Sequence, residues 1–248
     1  MEIRFIINQL KDEKPYLKSP LELYEKVLNF NEKSEKILEE EYKKEDLIEK
    51  ILNEFSSIFE IPYEFVSFLK ESLLRTGKDP FKEPDIILEL PIGEDKISSD
   101  DIKRALFILA KPFFVKFRKN SKVSKRFEDI GRCPVCEKPI SLTMIDIDNK
   151  RHMVCTFCGY REEIFRIGCS YCMQKICEKI DLLVDEDEIR VELCKDCKTY
   201  IKSFKNEVYQ KYKDPYLIDI ISLPLDVVAQ ERGYIRRSPN AIGVEIIK

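Results

Sequence analysis

The sequence predicts an α+β protein: a helical N-terminal domain, then two tandem rubredoxin-like or zinc-ribbon modules, then a C-terminal helix. Three observations carry that prediction. Eight of the nine cysteines of this 248-residue chain fall in four Cys-x-x-Cys pairs, Cys133/Cys136, Cys155/Cys158, Cys169/Cys172 and Cys194/Cys197, and none precedes Cys133. Upstream of that point apolar residues recur at the helical period. Downstream, short segments alternate apolar and polar residues with the strand period of two.

The helices follow in order. Ser19-Pro20 offers an N-cap followed by proline at the first helical position, and Tyr24, Val27, Leu28 and Leu38 continue at helical spacing. A second stripe holds Ile48, Ile51, Leu52, Phe55 and Phe59; a third, opened by Pro62, holds Phe65, Val66, Leu69 and Leu73 and ends near Gly77. From Gly77 to Ser98 the run contains three prolines and reads as an irregular connection. Ser99-Asp100-Asp101 starts a fourth helix through Phe107, Ile108 and Phe114, with Pro112 marking a kink or an end. Such stripes build a core before they build a cofactor site.

Past Cys133, Ile140–Met144 and Ile189–Leu193 alternate as strands, interrupted by Cys-x-x-Cys turns as in zinc ribbons. Asp214-Pro215 then starts a last helix carrying Leu217, Ile221, Leu225, Val228 and Ala229, bent at Pro224 and stopped by Gly233. The expected domains are residues 1–127, helical; 128–205, the double four-cysteine module; and 206–248, a helix and tail packing on that module.

A Cys-x-x-Cys turn aims two sulfurs at one point, and two such turns close a tetrahedral shell around zinc or iron. Taken in sequence order, the pairs give Cys133-x2-Cys136-x18-Cys155-x2-Cys158 and Cys169-x2-Cys172-x21-Cys194-x2-Cys197, two sites for two metal ions. Cross-braced pairing also gives two. Disulfides need an oxidising compartment. The opening residues lack an apolar core behind a basic start, and no stretch reaches the ~18–20 apolar residues of a membrane span, so a cytoplasmic location with reduced thiols is expected. Cys177, five residues past Cys172, reads as a small core residue, and His152, the only histidine, as structural or surface.

Composition narrows the function. Two closed four-thiolate sites leave no position for a metal-bound water, one histidine is poor material for a hydrolytic triad, and with seven glycines no phosphate-binding glycine motif is present. An enzyme is therefore not expected. A net charge of −3 opposes a protein built to coat nucleic acid, although Lys116–Arg126 holds six basic and no acidic residues. A double zinc-ribbon nucleic-acid binder is the alternative reading, and a rubredoxin-like electron carrier a third.

The local words around the cysteines resemble the FdhE family, accessory proteins needed for active formate dehydrogenase. Cys133-Pro-Val-Cys136 matches its first motif, and ten residues separate Cys158 from Cys169, with Arg166 on the family's arginine. Glu192-Leu-Cys194-Lys-Asp-Cys197-Lys-Thr-Tyr200-Ile-Lys202 follows its next pattern, and Lys213-Asp214-Pro215, Ser222-Leu223-x-Leu225-Asp226 and Gly233-Tyr234-x-Arg236 continue in register. The resemblance covers roughly Gly131 to Asn240. Departures are Glu137 for a glycine, Glu162 for a tryptophan, Val154 for a histidine, and Asp219 alone of a paired aspartate. The resemblance implies two rubredoxin-like metal centres and a partner, the catalytic subunit of formate dehydrogenase or a related molybdenum or tungsten enzyme. Arg166, Tyr200 and Lys202 are its candidate partner-binding residues.

Overall fold

Apolar stripes give the first half of the chain its helices. The computed structural model describes residues 2–39, 43–90 and 99–245. In it α1 spans Glu2–Glu13, α2 Lys18–Glu39, α3 Lys44–Phe59, α4 Tyr63–Arg75, α5 Asp85–Leu88 and α6 Ser99–Asn120. Helix α1 was not foreseen; Ile7 and Leu10 are its buried residues, too few to write a clear stripe. Helix α2 follows a 3-10 turn at Pro15–Leu17, so Ser19 and Pro20 lie within its first turn rather than at its cap. Proline is tolerated there because the first-turn N–H groups have no helical partner.

Residues Glu22–Asn120 form one of two compact units. Its core is the sum of the expected stripes: Val27, Ile51, Leu52, Phe55, Val66, Leu69 and Leu73 are buried. Phe30, Phe55 and Phe59 meet with ring centroids 5.0–5.9 Å apart. Pro112 does not end α6, which continues to Asn120; the buried run Leu109, Ala110, Phe113 and Phe114 holds the helix together through it. The first half of the basic run is consequently helix. Lys116 donates to the Leu38 carbonyl at 2.8 Å and Lys119 pairs with Glu35 at 2.7 Å.

Met1–Leu21 and Ser121–Lys248 form the other unit. After the short α7 (Phe127–Ile130) come β1 (Leu142–Ile145), β2 (Arg151–Val154), β3 (Arg161–Ile164), β4 (Ile180–Val184), β5 (Arg190–Cys194) and β6 (Tyr200–Lys205). They make one six-stranded sheet in the order β3-β2-β1-β6-β5-β4. Each ribbon is an antiparallel triplet, β1-β2-β3 or β4-β5-β6, and a parallel pairing of β1 with β6 joins them, Leu142 opposite Lys202. The two modules are thus halves of a continuous sheet.

Three helices complete this unit: α8 (Asn206–Tyr212), α9 (Pro215–Ile221) and α10 (Leu223–Glu231). Asp214 caps α9, accepting from the Tyr216 and Leu217 N–H groups at 2.6 and 2.9 Å, with Pro215 in the first helical turn. Where one helix bent at Pro224 was expected, the chain stops at Ser222 and restarts, placing Pro224 in the first turn of α10. Ala229 and Tyr234 pack on Val191, Leu193 and Tyr200, with Leu183 and Leu225 at the margin, which seats the C-terminal segment on the sheet. The start of the chain is pinned too: Lys14 meets Asp187 at 2.6 Å in the β4–β5 turn.

Candidate metal centres

All four Cys-x-x-Cys turns fold alike. The N–H of the first cysteine donates to the carbonyl five residues on, at Lys138, Tyr160, Gln174 or Thr199, over 2.9–3.0 Å. The residue four places on returns its N–H to that cysteine's carbonyl, from Glu137, Gly159, Met173 or Lys198, over 2.8–3.0 Å. That residue is left-handed every time, with φ of 56°, 73°, 64° and 53° respectively. The tight loop turns both sulfurs to the same side.

The turns meet in sequence order. Cys133, Cys136, Cys155 and Cys158 form one cluster and Cys169, Cys172, Cys194 and Cys197 the other, the sulfurs of each within 4.8 Å of one another. The closest sulfur pairs are 3.5 and 3.6 Å apart in the first and 3.7 Å in the second. A metal–sulfur bond of about 2.3 Å puts the edge of an ideal tetrahedron at about 3.8 Å, whereas a disulfide needs about 2.05 Å. The spacing therefore fits an ion and no disulfide, and four thiolates hold either zinc or iron.

Electrostatics points the same way. Burial pushes the Cys155 thiol well up, as do its neighbouring sulfurs Cys133 and Cys158. Four sulfurs this close ionise together only around a cation. In the second cluster burial also pushes Cys172 up, to about 11. Burial opposes ionisation of Cys197 as well, but the Thr199 hydroxyl and N–H outweigh it and bring that thiol down. Gln174 Nε2 lies 3.8 Å from the Cys194 sulfur. The first centre is wholly buried, with the Tyr216 hydroxyl donating to the Cys155 carbonyl at 3.3 Å; in the second, Cys172 is exposed and Cys197 half-buried.

The remaining candidates separate. His152 belongs to neither cluster and meets Asp146 at 2.7 Å across the β1–β2 hairpin. Cys177 is exposed on a 3-10 turn that leads into β4, not the core residue expected. Arg166 is exposed beside Arg126, Lys150 and Phe165. Tyr200 and Lys202, expected at a partner surface, are both 0% exposed. Lys202 reaches Asp219 at 2.9 Å and pairs with Asp226, Tyr200 donates to Asp226 at 2.7 Å, and Arg236 grips Asp219 at 2.6 and 2.9 Å. These charges compensate one another, which is what permits their burial.

A second ion pair, with its arginine buried and its glutamate half-buried, escaped the sequence reading. Arg151 is 1% exposed and donates to Glu192 at 2.5 Å and to the Gly168 carbonyl at 2.9 Å. It ties β2 of one ribbon to β5 of the other and to the residue preceding Cys169. Glu192 was visible as part of a motif; an arginine in an alternating hairpin gives no signal that it is buried.

Over residues 153–242 the chain matches the family model described as FdhE, C-terminal domain. This part of the chain is similar to the FdhE C-terminal domain. The FdhE match takes in three of the four cysteine pairs and the whole buried charge cluster; the first pair lies upstream of it. An FdhE homologue of Pseudomonas aeruginosa is 32% identical over 120 residues, 44% of this chain and 38% of that one. Protein FdhE of Escherichia coli is 36% identical over 119 residues, 44% and 36% of the respective chains. A homologue from Aquifex aeolicus is 29% identical over 160 residues, 60% and 55%. The chain thus spans about two fifths of the first of these relatives. The crystal structure of the FdhE protein from Pseudomonas aeruginosa shares the fold, with a TM-score of 0.55 at 22% identity over 79% of this chain and 69% of that one. Among the described residues no helix is long and apolar enough to cross a membrane.

Proposed function

We propose that this protein is an accessory factor for formate dehydrogenase, or a related molybdenum or tungsten enzyme. It binds the enzyme's catalytic subunit in the cytoplasm during maturation through a platform stapled by two zinc or iron ions. The observation that carries this reading is the pair of closed four-cysteine clusters within and beside the segment similar to the FdhE C-terminal domain. A closed shell has no free coordination position, so its ions brace a surface rather than activate water. The protein is accordingly not itself an enzyme. Of the residues first considered for the partner surface, Arg166 remains accessible, while Tyr200 and Lys202 hold the platform from within.

The nucleic-acid reading is weakened by the engagement of its basic run. Lys116, Lys119, Lys125 and Arg126 face Leu38, Glu35, Glu137 and Glu162. The deciding experiment is affinity capture from native cytosol, paired with formate dehydrogenase activity in a deletion strain. Capture of the catalytic subunit and lowered activity with normal synthesis of the enzyme are expected. Full activity in a strain without a second copy overturns the accessory role, and salt-sensitive binding to DNA or RNA through Lys116–Arg126 favours the alternative.

A further inference from the structure

We infer that Arg151 is a positioning residue that couples the two metal centres, so that an ion in either one raises the affinity of the other. The first centre lies at one end of its ribbon, where β2 runs from Val154 straight into the Cys155 turn; Arg151 stands at the other end of that strand, between Ile145 of β1 and Ile164 of β3. Its side chain leaves the ribbon. Nε donates to the Thr143 hydroxyl at 3.3 Å, which fixes the stem on β1, and the two Nη atoms reach the second ribbon, at the Gly168 carbonyl over 2.9 Å and at Glu192 over 2.5 Å. Gly168 immediately precedes Cys169, and Glu192 lies two residues before Cys194 on β5. One buried guanidinium therefore braces the entry to both Cys-x-x-Cys turns of the second centre from the ribbon of the first.

The need for this brace is local. At Cys155 and Cys194 the residue entering the turn, Val154 or Leu193, belongs to a strand whose ladder holds its backbone. Gly168 has no such support, since β3 ends at Ile164, and it is buried, so its carbonyl needs a partner from elsewhere. Its φ of +119° is one that only glycine adopts readily, and a Cβ there would fall 2.1 Å from the Gln174 carbonyl oxygen, the acceptor of the Cys169 N–H. Arg151 supplies the partner and holds that conformation. The fork is in place only while β2 is in place, and strands of four residues make a marginal ladder by themselves. An ion on Cys133, Cys136, Cys155 and Cys158 fixes β2, and with it the fork that aims the cysteines of the second centre. By linkage the reverse holds to the same factor. A rival contact joins the centres at Met173, which lies against Gly131, two residues before Cys133; a Cβ on that glycine would fall 2.9 Å from the Met173 Cγ. A flexible apolar side chain without a directional bond transmits little.

The test is a thermodynamic cycle on the full chain, with cobalt(II) titrated anaerobically against a competing chelator and read by the visible bands of its tetrahedral thiolate shell. Cys172→Ser gives the binding constant of the first centre alone, and Cys133→Ser that of the second. The product of the two constants of wild type should exceed the product of these two by about tenfold. In an Arg151→Met background that excess should fall below about threefold, whereas in Met173→Ala it should persist. Arg151→Lys keeps the charge but cannot span both acceptors; it should lower the excess as well, and it replaces the methionine variant if that one does not fold. A residue that merely stabilised the fold would weaken every constant and leave the excess unchanged. That result overturns the proposal, as does an excess absent from wild type or lost with Met173 instead of Arg151. The inference rests on the metal-stapled platform and not on its client. Fewer than two ions in wild type removes the platform and the coupling together, while two ions without the excess removes the coupling alone.

Discussion

Glu137, Met173 and Lys198 hold a backbone conformation that L-residues adopt at a cost of about 1–2 kcal/mol, and in the equivalent place of the remaining turn stands Gly159. The cost is tolerated because the left-handed residue closes the loop that aims two sulfurs at the ion. Glu137 offers a clean test, since its side chain contributes only an exposed ion pair to Lys125 at 2.9 Å. Glu137→Gly should relieve the strain, lose some stability to the freer unfolded chain, and raise the stability of the metal-loaded protein by about 0.5–1 kcal/mol; Gly159→Ala should lower it by about 1 kcal/mol or more. Thermal denaturation at saturating metal checks both. Asp187 gives the pH-dependent counterpart. Burial opposes its ionisation, but hydrogen bonds from Lys14, Lys211 and Tyr212 outweigh that and hold its carboxyl well below the usual carboxylate range. A lowered folded pKa means the stabilisation is present above the unfolded value of about 3.9 and is lost as pH falls below it. Asp187→Asn should therefore cost about 1–2 kcal/mol at pH 7, reduced by partial solvent screening, and the gap to wild type should close below about pH 4. Urea melts of both proteins at several pH values decide it.

The elements of the sheet unit meet through charge as much as through apolar packing. Lys202 on β6, Asp219 on α9, Asp226 on α10 and Arg236 beyond it form a buried quartet of two cations and two anions. Removing one partner leaves an uncompensated buried charge, which costs about 3–5 kcal/mol. Arg236→Ala should lose that much in chemical denaturation. Arg236→Lys should lose less, because the charge survives while the two-pronged grip on Asp219 does not. A loss under 1 kcal/mol in Arg236→Ala would show that the quartet holds nothing together. This is also where the sequence was half legible. Tyr200, Lys202, Asp226 and Arg236 stood out as motif residues, yet the lysine on a strand beside a cysteine pair read as surface and the tyrosine as surface or core alike, because nothing local says that four charges from four segments will cancel. The helical stripes and the capping Asp214-Pro215 were legible because their signals are local in sequence. The parallel β1–β6 join was not, since residues some 60 positions apart, such as Leu142 and Lys202, pair only once both ribbons exist.

Across the whole molecule the cysteine spacing divides stability between the two units. Residues Glu22–Asn120 form a helical unit without a cysteine, whereas the sheet unit is built of strands four to six residues long. Strands this short make a marginal sheet by themselves, and a structural ion in a four-thiolate shell is coupled to folding by on the order of 10 kcal/mol. The two centres are not equally defended. All four sulfurs of the first are buried, but a competing ligand approaches the second through exposed Cys172 and half-buried Cys197. A chelator should therefore remove the ions in two phases, the second centre emptying first. Cys172→Ser should abolish the fast phase and Cys133→Ser the slow one, each leaving about one ion per chain. Complete removal should melt the sheet unit while helical circular dichroism from Glu22–Asn120 persists. Stopped-flow chelation with metal analysis reads the phases directly. Loss of both ions in a single phase from the wild type would mean that the centres open together, through the continuous sheet that Arg151 and Glu192 tie across the two ribbons, and not one at a time through the exposed thiolate.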